Sequence, residues 1–493
     1  MRNKYKKLIF LIWIAATPGA LYSQVGISNQ DPKGVLDLRT DGANNTTGLV
    51  IPRIQDVANL KNADGDEAIE ATIAYDISDE CMKYKGANAW SDCMLDNQSV
   101  NRVTGSILNI GNDLKMMKAS AGNWFTVAIG KNDQALYVSG YGTEYRTALG
   151  RVSLINSFTL VKADTPIADA SAGYTHGLAA AENGKVFAWG NNTSGRTGVG
   201  VITSYTTVPT ELPNWVVSSY GRAVRVEAGY LNSLILSEQG KVYSMGDASL
   251  TGMNTQYAVP TLISTLPSST VFTEISLSQT TAGAIDSTSS TVYVWGNNIY
   301  GQLGTGSGAT ITATPQAVTF PKTIGQLAMG IYNSAAVSTD QKTLYVWGLN
   351  TVNGIGGVGN TTSPTALNIP GFDSASDVIY DIAVDRFYSG GIMVATSAGV
   401  YVAGNNPYRR LGAGSTDAAI TNLTKINSSR MYAGTVIKDV SLGFFQSVMI
   451  SGDNTQNTEN SYSAYGSGGL EGYRELGAIN SGGPSYVPTL ITY

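Results

Sequence analysis

The hydrophobic residues of this 493-residue chain occur in short runs separated by polar, glycine-rich turns, and no segment shows sustained helical periodicity. The most frequent run alternates apolar and small residues, reaches an aromatic residue that is often tryptophan, and ends at glycine. Strong copies occupy 186–190, 292–296, 344–348 and 400–404, and weaker copies occupy 136–140, 242–246 and 462–466. Runs of this length and composition, bounded by turn residues, predict β-strands.

Three patterns recur in a constant order and divide the chain into repeats. The glycines that end the runs lie roughly 54 residues apart and are Gly140, Gly190, Gly246, Gly296, Gly348, Gly404 and Gly466. Upstream of each run, a small residue and a glycine precede another alternating strand, as at 171–180 and 227–236. A proline-led strand comes before that, as at 208–212 and 259–263. Seven repeats of about four short strands predict a radial propeller.

These repeats resemble the regulator of chromosome condensation repeat family. Its unit has a proline-led strand, a small–Gly–x–x–His–Ser strand, a Val-Tyr-x-Trp-Gly strand and a Gly-Gln-Leu-Gly ending, which 173–200 and 292–306 match closely. The resemblance covers 119–493 and implies an all-β fold, a seven-bladed β-propeller of four-stranded blades, with 487–493 closing the ring against the first blade. The signature positions are Trp189, Gly190, Trp295, Gly296, Trp347, Gly348, Gly404 and His176.

The signature residues have a structural explanation. The tryptophans are expected to fill the wedge between adjacent sheets, and the glycines to let neighbouring backbones approach. Looser packing is expected where other residues replace the tryptophan, at Ala403, Ser139, Met245 and Tyr465. We expect His176 to be a strand contact and not a catalyst, because its position varies widely among the repeats. The equivalent residues are Phe125, Asn232, Thr281, Asn333, Tyr388 and Gln446.

The segment before the repeats has a different character. Residues 1–23 combine a basic segment, a short apolar run and a small, polar exit, which predicts a secretory signal peptide. The apolar run is shorter than the roughly 20 residues of a membrane anchor. Residues 24–118 predict a small β-rich module and linker. They resemble the N-terminal modules of exported surface proteins of Bacteroidetes-type bacteria at Leu36–Asp37–Leu38, Gly48–Leu49, Pro52–Arg53, Tyr75–Asp76, Cys81 and Trp90.

The chain contains two cysteines, Cys81 and Cys93. Two cysteines this close together in an exported protein predict a local disulfide bond. A metal site would need a CxxC spacing and further ligands nearby, and both are missing. A redox-active pair is the alternative to a structural disulfide.

Composition and charge exclude several partners. Charged residues make up only 14% of the chain, while it contains 56 glycines and 27 tyrosines. Loss of residues 1–23, which carry four basic residues and no acid, would change the net charge from −5 to −9. Nucleic acids and anionic membranes are bound by concentrated lysine and arginine. This chain is therefore not expected to bind nucleic acid, and no later stretch of its sequence is apolar enough to cross a bilayer.

The sequence offers little catalytic chemistry. It has a single histidine, so any reaction would depend on carboxylates or tyrosines. The acidic segment 62–70 lacks the ligand spacing of a calcium loop, and no metal or other cofactor is predicted. We expect most of the candidate carboxylates to lie in hairpin turns. They are Asp133, Asp247, Asp286, Asp340, Asp381, Asp385 and Asp453.

The favoured interpretation is a secreted or cell-surface propeller that binds an extracellular protein or polysaccharide without catalysis. The resembled family includes an exchange factor for a nuclear GTPase, but the inserted wedge of that factor has no match here, so a GTPase partner is not expected. Function is expected in the polar segments 151–170, 201–222, 305–325, 413–436 and 452–461. The alternative is an extracellular carbohydrate-active enzyme with carboxylates in the propeller mouth. Converging acids at one end of the channel would favour the enzyme, and a polar rim with exposed tyrosines would favour the binding module.

Overall fold

The computed structural model describes most of the chain from residue 115 onward and three short segments before it. The described residues are 53–54, 73–76, 81–84, 115–161, 165–250, 252–287, 290–308, 311–349, 360–388, 390–414, 418–426, 428, 431, 434–452, 463–468 and 485–490. The chain divides into two compact units, Met1–Leu108 and Asn109–Tyr493. Each unit is described by itself.

The described residues of the first unit form one small sheet. Its strands are β1 (Arg53–Ile54), β2 (Ile73–Asp76) and β3 (Cys81–Tyr84), with β1 parallel and β3 antiparallel to the central β2. Cys81 begins β3, but Cys93 and the signal segment 1–23 lie outside the described residues. The disulfide bond and the signal peptide therefore stay predictions.

The second unit consists of seven four-stranded antiparallel sheets, which confirms the predicted seven-bladed propeller. Blade 1 contains β4 (Met116–Ala121), β5 (Phe125–Gly130), β6 (Leu136–Tyr141) and β7 (Leu154–Val161). Blade 2 contains β8 (Ile167–Ala172), β9 (His176–Ala181), β10 (Val186–Asn191) and β11 (Tyr205–Glu211). Blade 3 contains β12 (Ala223–Ala228), β13 (Asn232–Ser237), β14 (Val242–Gly246) and β15 (Tyr257–Leu262).

The remaining four blades repeat this plan. Blade 4 contains β16 (Phe272–Leu277), β17 (Thr281–Asp286), β18 (Thr291–Asn297) and β19 (Ile311–Thr319). Blade 5 contains β20 (Ile324–Ala328), β21 (Asn333–Ser338), β22 (Leu344–Gly348) and β23 (Thr361–Leu367). Blade 6 contains β24 (Ile379–Val384), β25 (Gly391–Thr396), β26 (Gly399–Asn405) and β27 (Ala419–Lys425). Blade 7 contains β28 (Ile437–Leu442), β29 (Gln446–Ser451), β30 (Ala464–Gly468) and β31 (Ser485–Leu490).

Helical structure within the described residues is limited to single turns. One α-helical turn, α1, spans Val217–Tyr220. Three 3-10 turns span Thr143–Tyr145, Ala248–Leu250 and Pro407–Arg409. The four strands of a blade are called inner, second, third and outer in chain order. We call the loop after the inner strand the first loop and the loop after the third strand the third loop. Because the strands are antiparallel, both loops lie at the same end of the ring, which we call the loop mouth.

Two expectations about strand order are wrong. The proline-led strand is the last strand of its blade, as in β11, and not the first. The final strand β31 accordingly pairs with β30 within blade 7 and does not close the ring against blade 1. Hydrogen bonds between blades 7 and 1 close the ring instead. The Ala121 amide donates to Ser441 Oγ at 2.9 Å, and the Phe444 amide donates to the Gly122 carbonyl at 3.2 Å.

Four of the five segments expected to be functional loops contain outer strands. These strands are β7, β11, β19 and β27. Their residues were expected to form loops because outer strands contain few buried apolar positions. Most of the fifth segment, 452–461, lies outside the described residues. The inner strand of blade 1 begins at Met116, three residues before the first position that the repeats indicate.

The signature tryptophans Trp189, Trp295 and Trp347 are fully buried. Each indole Nε1 donates to a backbone carbonyl in the third loop of the preceding blade, at 2.8–2.9 Å. The residue after the tryptophan must be glycine: Gly296 has φ +111, and a Cβ there would lie 2.2 Å from the Thr280 carbonyl oxygen. The signature thus joins neighbouring blades and allows the third strand to pass close to the second.

Two positions of the sequence repeats are corrected by the strand register. In blade 7 Gln446 pairs with Gly468 and not with Gly466, so Ser467 takes the tryptophan position and Tyr465 lies two residues upstream. In blade 6 the residue opposite Gly404 is Gly391 and not Tyr388. The cause in blade 6 is a longer first loop, 385–390, which displaces Tyr388 from the strand.

Candidate functional site

The inner strands of all seven blades line a central channel of about 390 Å³. Each inner strand contributes one polar side chain, at a bulge in its pairing with the second strand. Each of these residues lies four positions before the position that is glycine in most repeats, a regularity that was not recognised from the sequence. We call them the channel ring: Lys118, Asp169, Arg225, Glu274, Gln326, Asp381 and Asp439. Six of them line the cavity itself, and Asp169 lies against Lys118.

Carboxylates of the channel ring join adjacent blades. Asp169 forms an ion pair with Lys118, and its Oδ2 accepts the Val226 amide at 2.8 Å. Asp381 Oδ2 accepts the Val440 amide at 2.8 Å. A second row of side chains, two residues closer to the loop mouth, accepts an amide of the next blade at 2.8–3.0 Å. Its members are Ser120, Ser171, Ser276 and Ser441.

Burial raises the pKa values of several carboxyl groups in the channel. It raises the pKa of Asp439 to about 6. Burial, and secondarily the Asp439 carboxyl, raise the pKa of Asp381 well above its usual range. The pKa values of Glu227 and Glu274 are also raised by burial, against the opposing charges of Arg386 and Arg225. These carboxyls therefore hold their protons at a higher pH than exposed carboxyls do.

Arg386 crosses the channel at the loop mouth. It lies in the first loop of blade 6, and its guanidinium reaches Glu227 of blade 3 at 2.6 Å and the Ala172 carbonyl of blade 2 at 2.9 Å. Its own carbonyl accepts the Gln279 amide of blade 4 at 2.8 Å. One arginine therefore connects four blades across the channel.

A fully buried ion pair holds this long loop in place. Asp385 and Arg410 lie 2.7 Å apart with both side chains inaccessible to solvent. The Asp385 carboxylate also accepts the amides of Phe387, Tyr388 and Gly390 at 2.9–3.2 Å. Because Asp385 fills the position that is glycine in most repeats, its carboxylate can organise the inserted residues as an Asx-type turn.

Aromatic side chains converge at the loop mouth. Six of the seven blades place aromatic residues at the tips of their first loops. We call this set the aromatic mouth: Trp124, Tyr174, Tyr230, Tyr332, Phe387, Tyr388, Phe444 and Phe445.

The rings of the aromatic mouth contact one another across the channel axis. Phe444 lies 4.3 Å from Phe445 and 4.6 Å from Tyr388, between ring centroids. Tyr174 of blade 2 lies 6.1 Å from Phe387 of blade 6 and 6.2 Å from Phe444 of blade 7. Seven of the eight rings therefore form one contacting cluster at one end of the propeller, with Phe387 and Phe445 buried inside it, and Tyr332 contacts Tyr300 beside it.

Two hollows flank the aromatic mouth. The blade 1–3 hollow has about 400 Å³ and is lined by aromatic and polar residues that include Trp124, Tyr174 and Tyr230. The blade 4–6 hollow has about 550 Å³ and is lined by Tyr300, Tyr332, Leu349, Tyr388, Asn405, Pro407 and Ala418. No charged residue lines the second hollow among those that the structure describes.

His176 lies in the wall between blades 2 and 3. It is fully buried, and its Nε2 lies 2.8 Å from Ser233 Oγ. Ser233 Oγ donates to the Arg196 carbonyl at 2.7 Å, so the His176 Nε2–H is the donor to Ser233. Burial lowers the pKa of His176 well below its usual value, which keeps the ring neutral. This arrangement joins two blades.

The candidate carboxylates are only partly where the sequence analysis expected them. Asp133 and Asp340 lie in hairpin turns, and Asp247 follows the third strand of blade 3. In contrast, Asp381 lines the channel and Asp385 organises a loop. Asp286 ends a strand, and Asp453 lies outside the described residues. Further acids in or beside the channel were not candidates from the sequence: Asp169, Glu227, Glu274 and Asp439.

Within the described part of the chain, no three histidine, cysteine or carboxylate side chains are grouped as metal ligands. The same residues include no helix with the length and hydrophobicity of a membrane-spanning segment.

Comparison with known proteins agrees with this geometry. Residues 167–196 and 289–337 match family models described as the regulator of chromosome condensation (RCC1) repeat. The chain carries RCC1 repeats.

The probable E3 ubiquitin-protein ligase HERC4 of Rattus norvegicus is 27% identical over 243 residues, which are 46% of this chain and 22% of HERC4. An RCC1 repeat-containing protein of Dictyostelium discoideum is 27% identical over 147 residues, or 27% of this chain and 29% of that protein. The chain thus spans under a third of these relatives.

Solved structures are similar over a larger share of the chain. Human WBSCR16 superimposes with a TM-score of 0.60 at 21% identity, over 69% of this chain and 88% of that one. Prp20p of Saccharomyces cerevisiae, described with its binding to Gsp1p and histones, superimposes with a TM-score of 0.59 at 21% identity, over 73% and 86%. At this identity the similarity establishes the RCC1-like propeller fold.

Proposed function

We propose that this chain is an exported, non-catalytic binding propeller that holds an extracellular protein or polysaccharide at its aromatic mouth. The observation that carries the proposal is the convergence of eight aromatic side chains from six blades at one end of the channel. Aromatic side chains supply large contact areas and are enriched at the energetically important positions of interfaces.

The aromatic mouth is suited to binding because its rings are held before any partner arrives. The Tyr388 side chain is 51% exposed, yet its ring is stacked on Phe444 at an interplanar angle of 27°. A ring that is both exposed and held loses little conformational entropy on binding. Backbone bonds between loop tips, such as the Tyr174 amide to the Gly229 carbonyl at 2.9 Å, add to this rigidity.

The setting of this activity follows from the rest of the sequence. Export rests on the predicted signal peptide 1–23, and release or display at the cell surface follows from it. The segment 24–118, with its resemblance to modules of exported Bacteroidetes-type proteins, is proposed to serve display or assembly. The acidic, low-charge composition supports a partner other than nucleic acid. No cofactor is required for such binding.

Arrays of glycans and of peptides, probed with the purified mature chain, test this function. The double variant Tyr388→Ser, Phe444→Ser should lose roughly tenfold or more in affinity for any ligand found. Tyr205→Ser is the matched control, since Tyr205 is an exposed tyrosine on an outer strand. Equal binding by the double variant and the control would contradict a role for the aromatic mouth.

A second candidate function is carbohydrate hydrolysis by the channel acids. Asp381 and Asp439 lie on the inner strands of neighbouring blades and both have raised pKa values, as paired carboxyls of hydrolases often do. Against it, Asp381 is bonded to the backbone of the next blade. Release of reducing ends from polysaccharides by the mature chain, abolished in Asp439→Asn, would establish this enzyme; equal release by the variant would exclude it.

A further inference from the structure

The blade 1–3 hollow combines flat apolar walls with buried polar groups. Its volume of about 400 Å³ is in the range of small-ligand sites. Residues from the first loops of three blades and the third loops of two blades line it. The ring of Trp124 is stacked on Phe445 at 5.7 Å, and Tyr174 meets Tyr230 edge-on at 4.6 Å. These walls are therefore held in place by neighbouring rings.

Arg146 presents hydrogen-bond donors in this hollow. Its side chain is only 3% exposed. Its Nε donates to the Thr143 carbonyl at 2.8 Å, Nη1 to the Asn123 carbonyl at 3.0 Å and Nη2 to Glu144 Oε2 at 2.9 Å. A guanidinium has five N–H groups, so two of them remain for a ligand.

Arg196 is a second buried donor, at 4% exposure. It donates to Ser194 Oγ, Thr175 Oγ1, Thr193 Oγ1 and the Tyr230 carbonyl at 2.9–3.1 Å. Among the described residues no carboxylate lies within ion-pair distance of Arg196, so one of its N–H groups remains for a ligand. The Glu144 carboxylate, which lines the same hollow, offsets part of the positive charge at longer range.

The same hollow also contains acceptors that need a donor. The Asn123 side chain is 2% exposed, and its Oδ1 has no hydrogen-bond partner. The Thr143 hydroxyl, also lining the hollow, is unpartnered too. Buried polar atoms are normally paired, so these two atoms indicate a ligand or water that completes them.

We propose that the blade 1–3 hollow binds one glycosyl residue of a polysaccharide. A sugar hydroxyl both donates and accepts, so neighbouring hydroxyls satisfy Asn123 Oδ1 and the spare N–H groups of Arg146 and Arg196 together. The C–H face of a pyranose ring is apolar and fits against Trp124, Tyr174 or Tyr230. A carboxylate group would satisfy the arginines, but it is an acceptor only and has no proton to donate to Asn123 Oδ1. The inference rests on the proposed function, because it names the polysaccharide as the partner.

The test uses the mature chain, an array of neutral and uronate-containing oligosaccharides, and calorimetric titration with the best of them. Asn123→Leu removes the unpaired acceptor at nearly constant size, and Tyr230→Ala removes one wall. Each should weaken sugar binding roughly tenfold or more. The control Tyr300→Ala, in the blade 4–6 hollow, should stay within about twofold. Binding of both neutral and uronate sugars agrees with the proposal.

Several results would overturn the glycosyl site and leave the aromatic mouth intact. One is normal sugar binding by Asn123→Leu and Tyr230→Ala together with loss in the Tyr388, Phe444 double variant. Another is binding of peptides, neutral or acidic, and of no sugar. If the variants do not fold, hydrogen exchange of the unmodified chain decides: the oligosaccharide must protect 122–124 and 142–146, and no protection there refutes the site.

Discussion

Replacement of Trp295 by alanine tests how the blades are held together. The indole is fully buried between blades 3 and 4, in a cluster with Leu234, Leu250 and Phe272. Its Nε1 donates to the Leu250 carbonyl at 2.9 Å, so the variant removes both packing and a hydrogen bond between two blades.

The expected loss follows from these two contributions. Removal of a large buried side chain costs about 3–5 kcal/mol when the cavity does not collapse. The rigid strands on both sides make collapse difficult here, and the Leu250 carbonyl left without its donor accounts for about 1–2 kcal/mol of the total. Such a loss is a large fraction of the roughly 5–15 kcal/mol that stabilises a folded protein. Trp295→Phe keeps much of the ring and should cost about 1–3 kcal/mol.

Urea unfolding followed by far-ultraviolet circular dichroism measures these losses. Ile311→Ala is the matched control, because Ile311 belongs to the outer strand of the same blade and is 65% exposed. It should cost no more than about 0.5 kcal/mol. If Trp295→Ala loses as little as Ile311→Ala, the tryptophan does not hold the two blades together, and the reasoning about the signature is wrong.

Three further predictions follow from the channel, the loop and the small sheet. Because the pKa of Asp439 is raised to about 6 in the fold, its contribution to stability is present below pH 4 and lost as pH rises through 6. Asp439→Asn should abolish up to roughly 3 kcal/mol of that loss in unfolding curves from pH 4 to 8; an unchanged pH profile would contradict this. Arg410→Met should cost about 3–5 kcal/mol by leaving the Asp385 carboxylate buried without its counter-ion, and adding Asp385→Asn should recover part of it in the same assay. Mass spectrometry of the mature chain under non-reducing conditions should find no free thiol at Cys81 or Cys93, and two alkylatable thiols would refute the disulfide.

The number and type of the blades were predictable because the repeats carry strong local signals. A tryptophan followed by glycine marks a third strand, and the burial of Trp189 and Trp347 explains why both residues are required. The outer strands were not recognised as part of the preceding blade. Their exposed, threonine-rich residues, as in β19, do not alternate clearly, so sequence patterns alone do not show which sheet they extend.

The candidate site was less predictable, for two physical reasons. The aromatic mouth depends on the ring bringing together residues as distant in sequence as Tyr174 and Phe387, and no local pattern reveals that contact. The channel ring is visible as a polar residue at a constant position in each inner strand, but its chemistry varies from Lys118 to Gln326. A repeat is recognised when the same residue type recurs at equivalent positions, and the channel ring has different residue types at its equivalent positions.

Each blade draws all four strands from one continuous stretch of chain, so no sheet is shared between the two ends of the propeller. If the last blade contained a strand from the start of the propeller sequence, the boundary where the ring closes would differ from the other six. Here the boundary between blades 7 and 1 resembles the others and differs only in lacking a peptide connection. Such a ring can evolve by duplicating or losing whole blades, since each event leaves every remaining sheet intact. We also expect it to tolerate new termini at any blade boundary, because joining the first and last blades and opening the ring elsewhere leaves every blade beside the same neighbours.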